Sequence, residues 1–248
     1  MCFFDVIVIM VREAGRSMRI DKYISGTGLY PRRETARLIA AGRITINGTV
    51  CAAGATVEPG DTVAVDGVRV VPDLGERVYL ALNKPAGITC TAARQVQGNI
   101  VDYVGYPSRI FAVGRLDKQS EGLILMTNDG SIVNRMMRAE HHQEKEYVVT
   151  VDKPVTADFL QEMAGGVEIL GTRTRPSLTR QLSEKEFAII LTQGLNLQIR
   201  RMCKALGYRV LRLERIRIMH LTLSGLPRGQ WRMLTPEELA ELHTRLEG

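Results

Sequence analysis

The chain has 248 residues, 45% hydrophobic and 24% charged, enough apolar material for one large core plus a smaller module, with nothing disordered or low in complexity. Its formal charge of +6 fits a polyanionic partner. The four cysteines (Cys2, Cys51, Cys90, Cys203) are scattered, without a Cys-x-x-Cys pair and without a histidine cluster beyond His141-His142, which argues against a disulfide framework and against structural zinc; the chain reads as reduced and cytoplasmic.

Residues 1–17 contain an apolar run, 3–11, that is too short to span a bilayer, carries Asp5 and lacks both a basic start and a small-residue cleavage site. The segment is expected to be neither anchor nor secretory signal, and no function attaches to it. From Arg19 to about Gly75 the pattern predicts two short helices followed by strands and tight turns, a module spanning 18–75. Residues 32–41 read as a helix with Pro31 near its start, Leu38 and Ile39 inward, and Arg33 and Arg37 one turn apart on the outer face. Arg43-Ile44-Thr45-Ile46 alternates as a strand and runs into Asn47-Gly48, a hairpin signal, with Asp66-Gly67 marking a later turn. Six bases (Arg19, Lys22, Arg32, Arg33, Arg37, Arg43) against two acids make this module a candidate surface for phosphate.

Pro72-Asp73-Leu74-Gly75-Glu76 reads as a linker, and a second domain, 76–248, follows. Strands are predicted at 78–82, 123–127, 147–151, 187–191 and 221–223. One helix follows Thr156 and ends at Gly165-Gly166. Another covers 196–206 with Ile199, Met202, Cys203 and Leu206 inward and Arg200, Arg201 and Lys204 turned away. Cys203 reads as core. A last helix opens on the capping box Thr235-Pro236-Glu237-Glu238 and buries Leu239, Leu242 and Leu246. Helices so unevenly spaced do not suit a repeated βαβ unit, so the prediction is an α+β domain with a mixed, largely antiparallel sheet. Between Arg200 and Arg217 seven bases face one acid, Glu214, a second basic patch that extends the expected nucleic-acid footprint. Arginine dominates both patches, which favours bidentate phosphate contacts and stacking.

The segment of most chemical interest is Gly114-Arg115-Leu116-Asp117-Lys118-Gln119-Ser120-Glu121-Gly122-Leu123, set between the apolar runs Phe111-Ala112-Val113 and Leu123-Ile124-Leu125-Met126. It puts the Asp117 carboxylate on a loop held by strands at both ends. Taken alone it also describes an ordinary turn.

With Leu82-Asn83-Lys84-Pro85-Ala86-Gly87 before it, and Glu144-Lys145-Glu146-Tyr147-Val148-Val149 and Gly194-Leu195-Asn196-Leu197-Gln198-Ile199-Arg200-Arg201-Met202 after it, the segment resembles the catalytic blocks of the ribosomal-RNA pseudouridine synthases of the RsuA and RluF branch. Leu221-Thr222-Leu223-Ser224-Gly225 and Gly229-Gln230-Trp231-Arg232 continue the resemblance, so that it covers nearly the whole chain from Met18. Residues 18–75 resemble an S4 RNA-binding domain, with Pro31 standing where that family more often has a serine cap.

The resemblance implies a small S4-like domain followed by a catalytic domain with a cleft across its sheet, acting without a cofactor. By the same resemblance Asp117 is the nucleophile or proton acceptor at the sugar, Arg200 pairs with it and keeps it ionised, and Tyr147 stacks on the uracil. Arg115 fills the gap left by the flipped base, with a structural ion pair as its alternative role; Lys84 and Lys145 contact RNA phosphate or brace the site, and Arg201 joins Arg32, Arg33, Arg37 and Arg43 as RNA contacts. Read from the residues alone, Arg200 serves phosphate equally well, and Tyr147 is equally an ordinary strand tyrosine. Within the branch, Asp152-Lys153-Pro154 and Arg217-Ile218-Met219 look most like the RluF type, which implies a uridine of large-subunit rRNA as target, a tRNA anticodon-loop uridine as an open second one, and a monomeric enzyme.

Two other function classes compete. A non-catalytic RNA-binding assembly factor would use both basic patches but has no need of Asp117. A glycosidase wants two carboxylates flanking the bond, and Glu121 is the one acid close to Asp117 in sequence.

Overall fold

The computed structural model describes residues 17–27, 29–30, 32–72, 76–93, 95–137 and 143–247, apart from the side chains of Arg32, Arg33 and Asn134. All but the last residue of the extension expected at 1–17, most of the linker and His141-His142 therefore lie outside the described residues, as do the side chains of two candidate phosphate contacts. Chain contacts divide at Glu76 and Arg77 into two units.

In the first unit β1 (Met18–Arg19) leads directly into α1 (Ile20–Gly26), and α2 (Arg32–Ala40) follows. The strands β2 (Ile44–Ile46), β3 (Thr49–Val50), β5 (Val63–Val65) and β6 (Val68–Arg69) form an antiparallel sheet in the order β3-β2-β5-β6, while β1 pairs with β4 (Thr56–Val57). Both predicted hairpin turns form. Asn47 and Gly48, and again Asp66 and Gly67, take positive φ values, the paired left-handed residues that a two-residue hairpin with the strands' own twist requires. Ile20, Ile24, Leu38, Ile44, Val57, Val63 and Val65 close the core. Arg37 is exposed beside Glu34, and Arg43 is gripped by both carboxylate oxygens of Asp66, so phosphate must compete for it.

The second unit is built on a mixed sheet whose described path runs β13 (Leu178–Gln181), β14 (Glu186–Leu191), β10 (Lys145–Val151), β15 (Val210–Ile218), β9 (Glu121–Thr127), β7 (Tyr79–Lys84), β17 (Trp231–Met233). Every pairing on it is antiparallel except that of β9 with β15, which joins only Glu121 to Glu214 and Gly122 to Arg215. Further along the same edge, Leu125 to Thr127 pair instead with β8 (Phe111–Val113). The two halves of the sheet thus meet at a short central seam, and the Gly114 to Ser120 loop, which links β8 to β9, opens beside it.

Each half has its own core. On one side α5 (Ala157–Gly165) and α6 (Gln198–Ala205) lay Phe159, Met163, Ile199, Met202 and Cys203 against Val149, Phe187, Ile189 and Leu213. Cys203 is fully buried, as its helical position predicts, and burial pushes its thiol up to about 12. On the other side α4 (Ser131–Met137) and α7 (Pro236–Glu247) cover one face of β7 and β9, and α3 (Ile100–Val104) contributes to the opposite face. The capping box forms as predicted: Thr235 N–H donates to Glu238 Oε2 at 3.0 Å and Glu238 N–H to Thr235 Oγ1 at 3.2 Å.

Strand β15 is a correction to the sequence reading, which saw its residues as a basic patch. Arg209 pairs with Asp152, Arg212 with Glu121 and Glu214, and Arg217 with Glu144 and Glu146. Apart from Glu214, the balancing acids lie on or beside the neighbouring strands β9 and β10, so a count along the segment misses them. Much of the second patch is consequently neutralised within the protein.

Candidate active site

The Gly114 to Ser120 loop is tied at almost every residue. Gly87 N–H donates to Lys118 O at 2.7 Å, Leu116 N–H to Cys90 Sγ at 3.4 Å, and Ser120 N–H turns back to Asp117 O at 3.0 Å. Lys84, fully buried at the end of β7, donates from Nζ to Pro85 O at 2.8 Å and Ser120 O at 2.7 Å. Burial pulls the Lys84 ammonium below its ordinary value, with Cys90, Glu121 and Asp117 acting the other way. Of the two roles expected of Lys84, the geometry is that of a brace clamping the first sequence block to the aspartate loop; a phosphate contact does not fit a side chain so enclosed. Arg200 does similar work from α6: its guanidinium donates to Gln119 O at 3.2 Å and Val210 O at 3.4 Å. Among the described residues no ion pair joins Arg200 to Asp117, so the expected pairing is replaced here by a hold on the neighbouring peptide. Arg201 turns to Asn196, donating to its backbone oxygen at 3.0 Å.

Asp117 and Tyr147 open onto one cleft of about 280 Å³, lined further by Arg115, Ser120, Met137, Lys145, Arg215, Gln198 and the 193–197 segment. The size is close to the lower end of small-ligand pockets, about 300 Å³, and suits one extruded nucleoside rather than a length of RNA. Arg115 is exposed at this cleft, Asp117 and Tyr147 are half-buried, and Ser120, Gln198 and Arg215 are buried. The pocket wall at 195–197 is set by Leu197, whose φ of 52° is a costly left-handed conformation for leucine. Gln198 supports it, its Oε1 accepting the Leu195 N–H at 2.9 Å.

Lys145 and Tyr147 lie two residues apart on β10 and so share a face. Opposite them β15 carries one extra residue. Glu146 faces Arg217 but Tyr147 faces Arg215, which makes Ile216 a bulge. Without the bulge Arg215 would turn to the other face. Along the sequence Arg215 falls among the surface bases; the signal that sets it apart is its place two residues after the buried Leu213. Arg215 is only 3% exposed, and its Nε donates to Leu123 O at 2.7 Å. Burial, and then the charge of Arg215, pull Lys145 down to about 8. Glu121 is turned away from the cleft and held by Arg212 and Arg228, which removes the second carboxylate that a glycosidase needs.

The fold matches that of a crystal structure described as a pseudouridylate synthase, with a TM-score of 0.68 and 28% identity, over 91% of this chain and 99% of that one. A mixed sheet with a nucleoside-sized cleft at its seam, preceded in the chain by a small α+β module, defines the class: a pseudouridylate synthase fold with an added RNA-binding unit. The S4 domain model matches residues 18–63 and the RNA pseudouridylate synthase model residues 78–205. The dual-specificity RNA pseudouridine synthase RluF of Salmonella typhi is 49% identical over 94% of this chain and 81% of its own length. Ribosomal large subunit pseudouridine synthase B of Bacillus subtilis is 34% identical over 90% of this chain and 95% of its own. The chain belongs to the RNA pseudouridylate synthase family, and it is an RNA pseudouridine synthase.

Proposed function

We propose that this enzyme converts a uridine of large-subunit ribosomal RNA to pseudouridine, with a tRNA anticodon-loop uridine as a second substrate. The observation that carries the site assignment is the convergence of Asp117 and Tyr147 on one cleft whose aspartate loop is clamped from Lys84, Gly87, Cys90 and Arg200. The large-subunit target is supported by the name of the Bacillus relative, and the second substrate by the dual specificity in the name of the Salmonella one.

The reaction detaches uracil at N1, turns it and rejoins it through C5, with no net oxidation and no group lost. A stacked uridine hides its sugar, so the nucleotide is extruded at a cost of a few kcal/mol. Arg115, exposed beside Asp117, is the side chain placed to fill the vacated stack with its planar guanidinium. Asp117 then engages the sugar, Tyr147 supports the base, and the walls of the cleft keep water from releasing it. Lys84 and Arg200 act as positioning residues that hold the aspartate loop. Arg37, with Arg32 and Arg33, supplies phosphate contacts from the first unit. The enzyme works as a monomer in the cytoplasm; among the described residues no helix is long and apolar enough to cross a membrane.

The test is tritium release from C5-labelled uridine in unmodified ribosomal RNA, with Asp117→Asn in parallel. Release by the unaltered enzyme and not by the variant is the expected result; release by both or by neither overturns the assignment. Mapping pseudouridine in rRNA and tRNA from cells with and without the gene identifies the targets, and an unchanged large subunit would refute the proposed substrate.

A further inference from the structure

We propose that Arg215, Lys145 and Ser120 form a leaving-group site, which stabilises the negative charge that uracil carries while it is detached from the sugar. The inference rests on the synthase reading above and gives these three residues a part in its chemistry.

Two buried polar atoms in the cleft lining lack partners. The Arg215 guanidinium is anchored through Nε, and among the described residues its Nη2 meets no acceptor; Ser120 is 1% exposed and its Oγ has no partner among them either. Lys145 donates to Gln143 O at 3.1 Å, and among the described residues neither Lys145 nor Arg215 has an acid within ion-pairing distance. This sets them apart from Arg212 and Arg217 on the same strand, each of which meets two glutamates. An enclosed cation without a counter-ion costs several kcal/mol, and here two stand close enough to act on each other. The β15 bulge sets Arg215 opposite Tyr147, on the face that Tyr147 shares with Lys145. Such an arrangement is what a site for a transient anion requires.

The anion arises in the reaction itself. As the N1–C1′ bond breaks, its electron pair leaves on uracil, giving a monoanion spread over N1, O2 and O4, while an Asp117 carboxylate oxygen bonds to C1′ in its place; that C1′–O bond breaks again, its pair returning to the carboxylate, when C5 attacks C1′. The C5–C1′ bond forms from that anion, and the proton lost at C5 is balanced by the one gained at N1. Donors and positive charge fixed beside the uracil lower the cost of the charged interval and need no reorganisation when it appears. Charge on O2 and O4 suits the Arg215 and Ser120 donors, and Lys145 adds its field. A backbone phosphate is the other anion two cations would hold, but it is charged before and after the reaction alike, so its loss would weaken binding and be indifferent to the base.

That difference gives the test. The transcript modified by the unaltered enzyme is prepared with uridine or 5-fluorouridine at the target position, and single-turnover loss of the N-linked nucleoside is followed for the enzyme, Lys145→Met and Arg215→Lys. Fluorine makes uracil a better leaving group, so it needs less help. Lys145→Met is expected to slow uridine about 100-fold, as loss of one charge-stabilising donor does, and 5-fluorouridine far less, with RNA affinity nearly unchanged. Arg215→Lys keeps the charge but loses the forked donor, and shows the same pattern at smaller size. Equal losses on both substrates, a loss residing in RNA affinity, or no loss refutes the leaving-group site. Failure of the unaltered enzyme on uridine would instead overturn the synthase reading beneath it.

Discussion

Gly122 is the residue at which the two halves of the catalytic sheet touch. Its φ is +103°, and a Cβ built there would lie 2.2 Å from Arg215 O and 2.7 Å from Arg215 N, both backbone atoms of the facing strand. Neither can swing aside. Gly122→Ala must therefore part β9 from β15 by about 1 Å, at an overpacking cost of about 1–3 kcal/mol. To this is added about 1–3 kcal/mol for an L-residue in a sparsely populated backbone region. A combined loss of about 2–6 kcal/mol is a large part of the roughly 5–15 kcal/mol that holds a domain folded. For a unit of this size it corresponds to a fall in Tm of roughly 10 °C. Trp231, the single tryptophan, lies on β17 and reports on this unit, so thermal unfolding followed by its fluorescence is the assay. Gly114→Ala is the contrast: its φ is +77°, but the obstructing atom at 2.7 Å is the end of the flexible Met137 side chain. It should cost only the backbone strain. A Gly122→Ala enzyme that melts within about 2 °C of the unaltered one, on the same scale, and stays active would refute the seam as the element that sets Arg215 against the aspartate loop.

Lys145 titrates at about 8 in the folded protein, below its ordinary 10.5. Between those values the unfolded chain binds more protons, so stability relative to Lys145→Met should rise with pH across that window and be flat below it; equal pH slopes for the two melts would contradict the burial of this charge. Turnover that uses the charged form should fall as pH passes about 8, and the residual activity of Lys145→Met should lack that limb. Thr235→Ala removes the cap of α7 and should cost about 1 kcal/mol, a Tm drop of about 2–4 °C, leaving RNA affinity unchanged in a filter-binding titration. Arg217→Gln should leave the salt dependence of RNA binding nearly unchanged while lowering Tm, because its guanidinium already meets Glu144 and Glu146; a slope reduced by about 1 would make it a phosphate contact after all.

Periodicity and turn chemistry placed β7, β8, β9, β10 and β14 to within two or three residues, along with α2, α6, α7 and the Asn47-Gly48 and Asp66-Gly67 hairpins. These elements are set by which residues must face a core and which can take a positive φ, and both are local properties. The Asp117 loop was legible for the same reason, as a polar glycine-bounded segment between two apolar runs, and the resemblance of four blocks supplied its chemistry. What local pattern could not give was partnership. Whether Arg217 is a phosphate contact depends on Glu144 and Glu146 lying on the adjacent strand, and whether Lys84 reaches RNA depends on Ser120 O being within 2.7 Å of its ammonium. Arg200 lies on the predicted helix, and its guanidinium meets the Gln119 and Val210 carbonyls, since a helical face fixes direction and not the group it meets.

The sequence by itself determined that this chain carries an S4-like module and a pseudouridine synthase domain with Asp117 on a loop between two strands, because hydrophobic spacing, turn residues and motif order are written along the chain. Tertiary structure alone decided which cations face the cleft. A one-residue bulge at Ile216 and a glycine that admits a 2.2 Å approach at the seam turn Arg215 inward beside Tyr147 and Lys145. Register between strands far apart in sequence, and not composition, sets the charge at the point where uracil would be held.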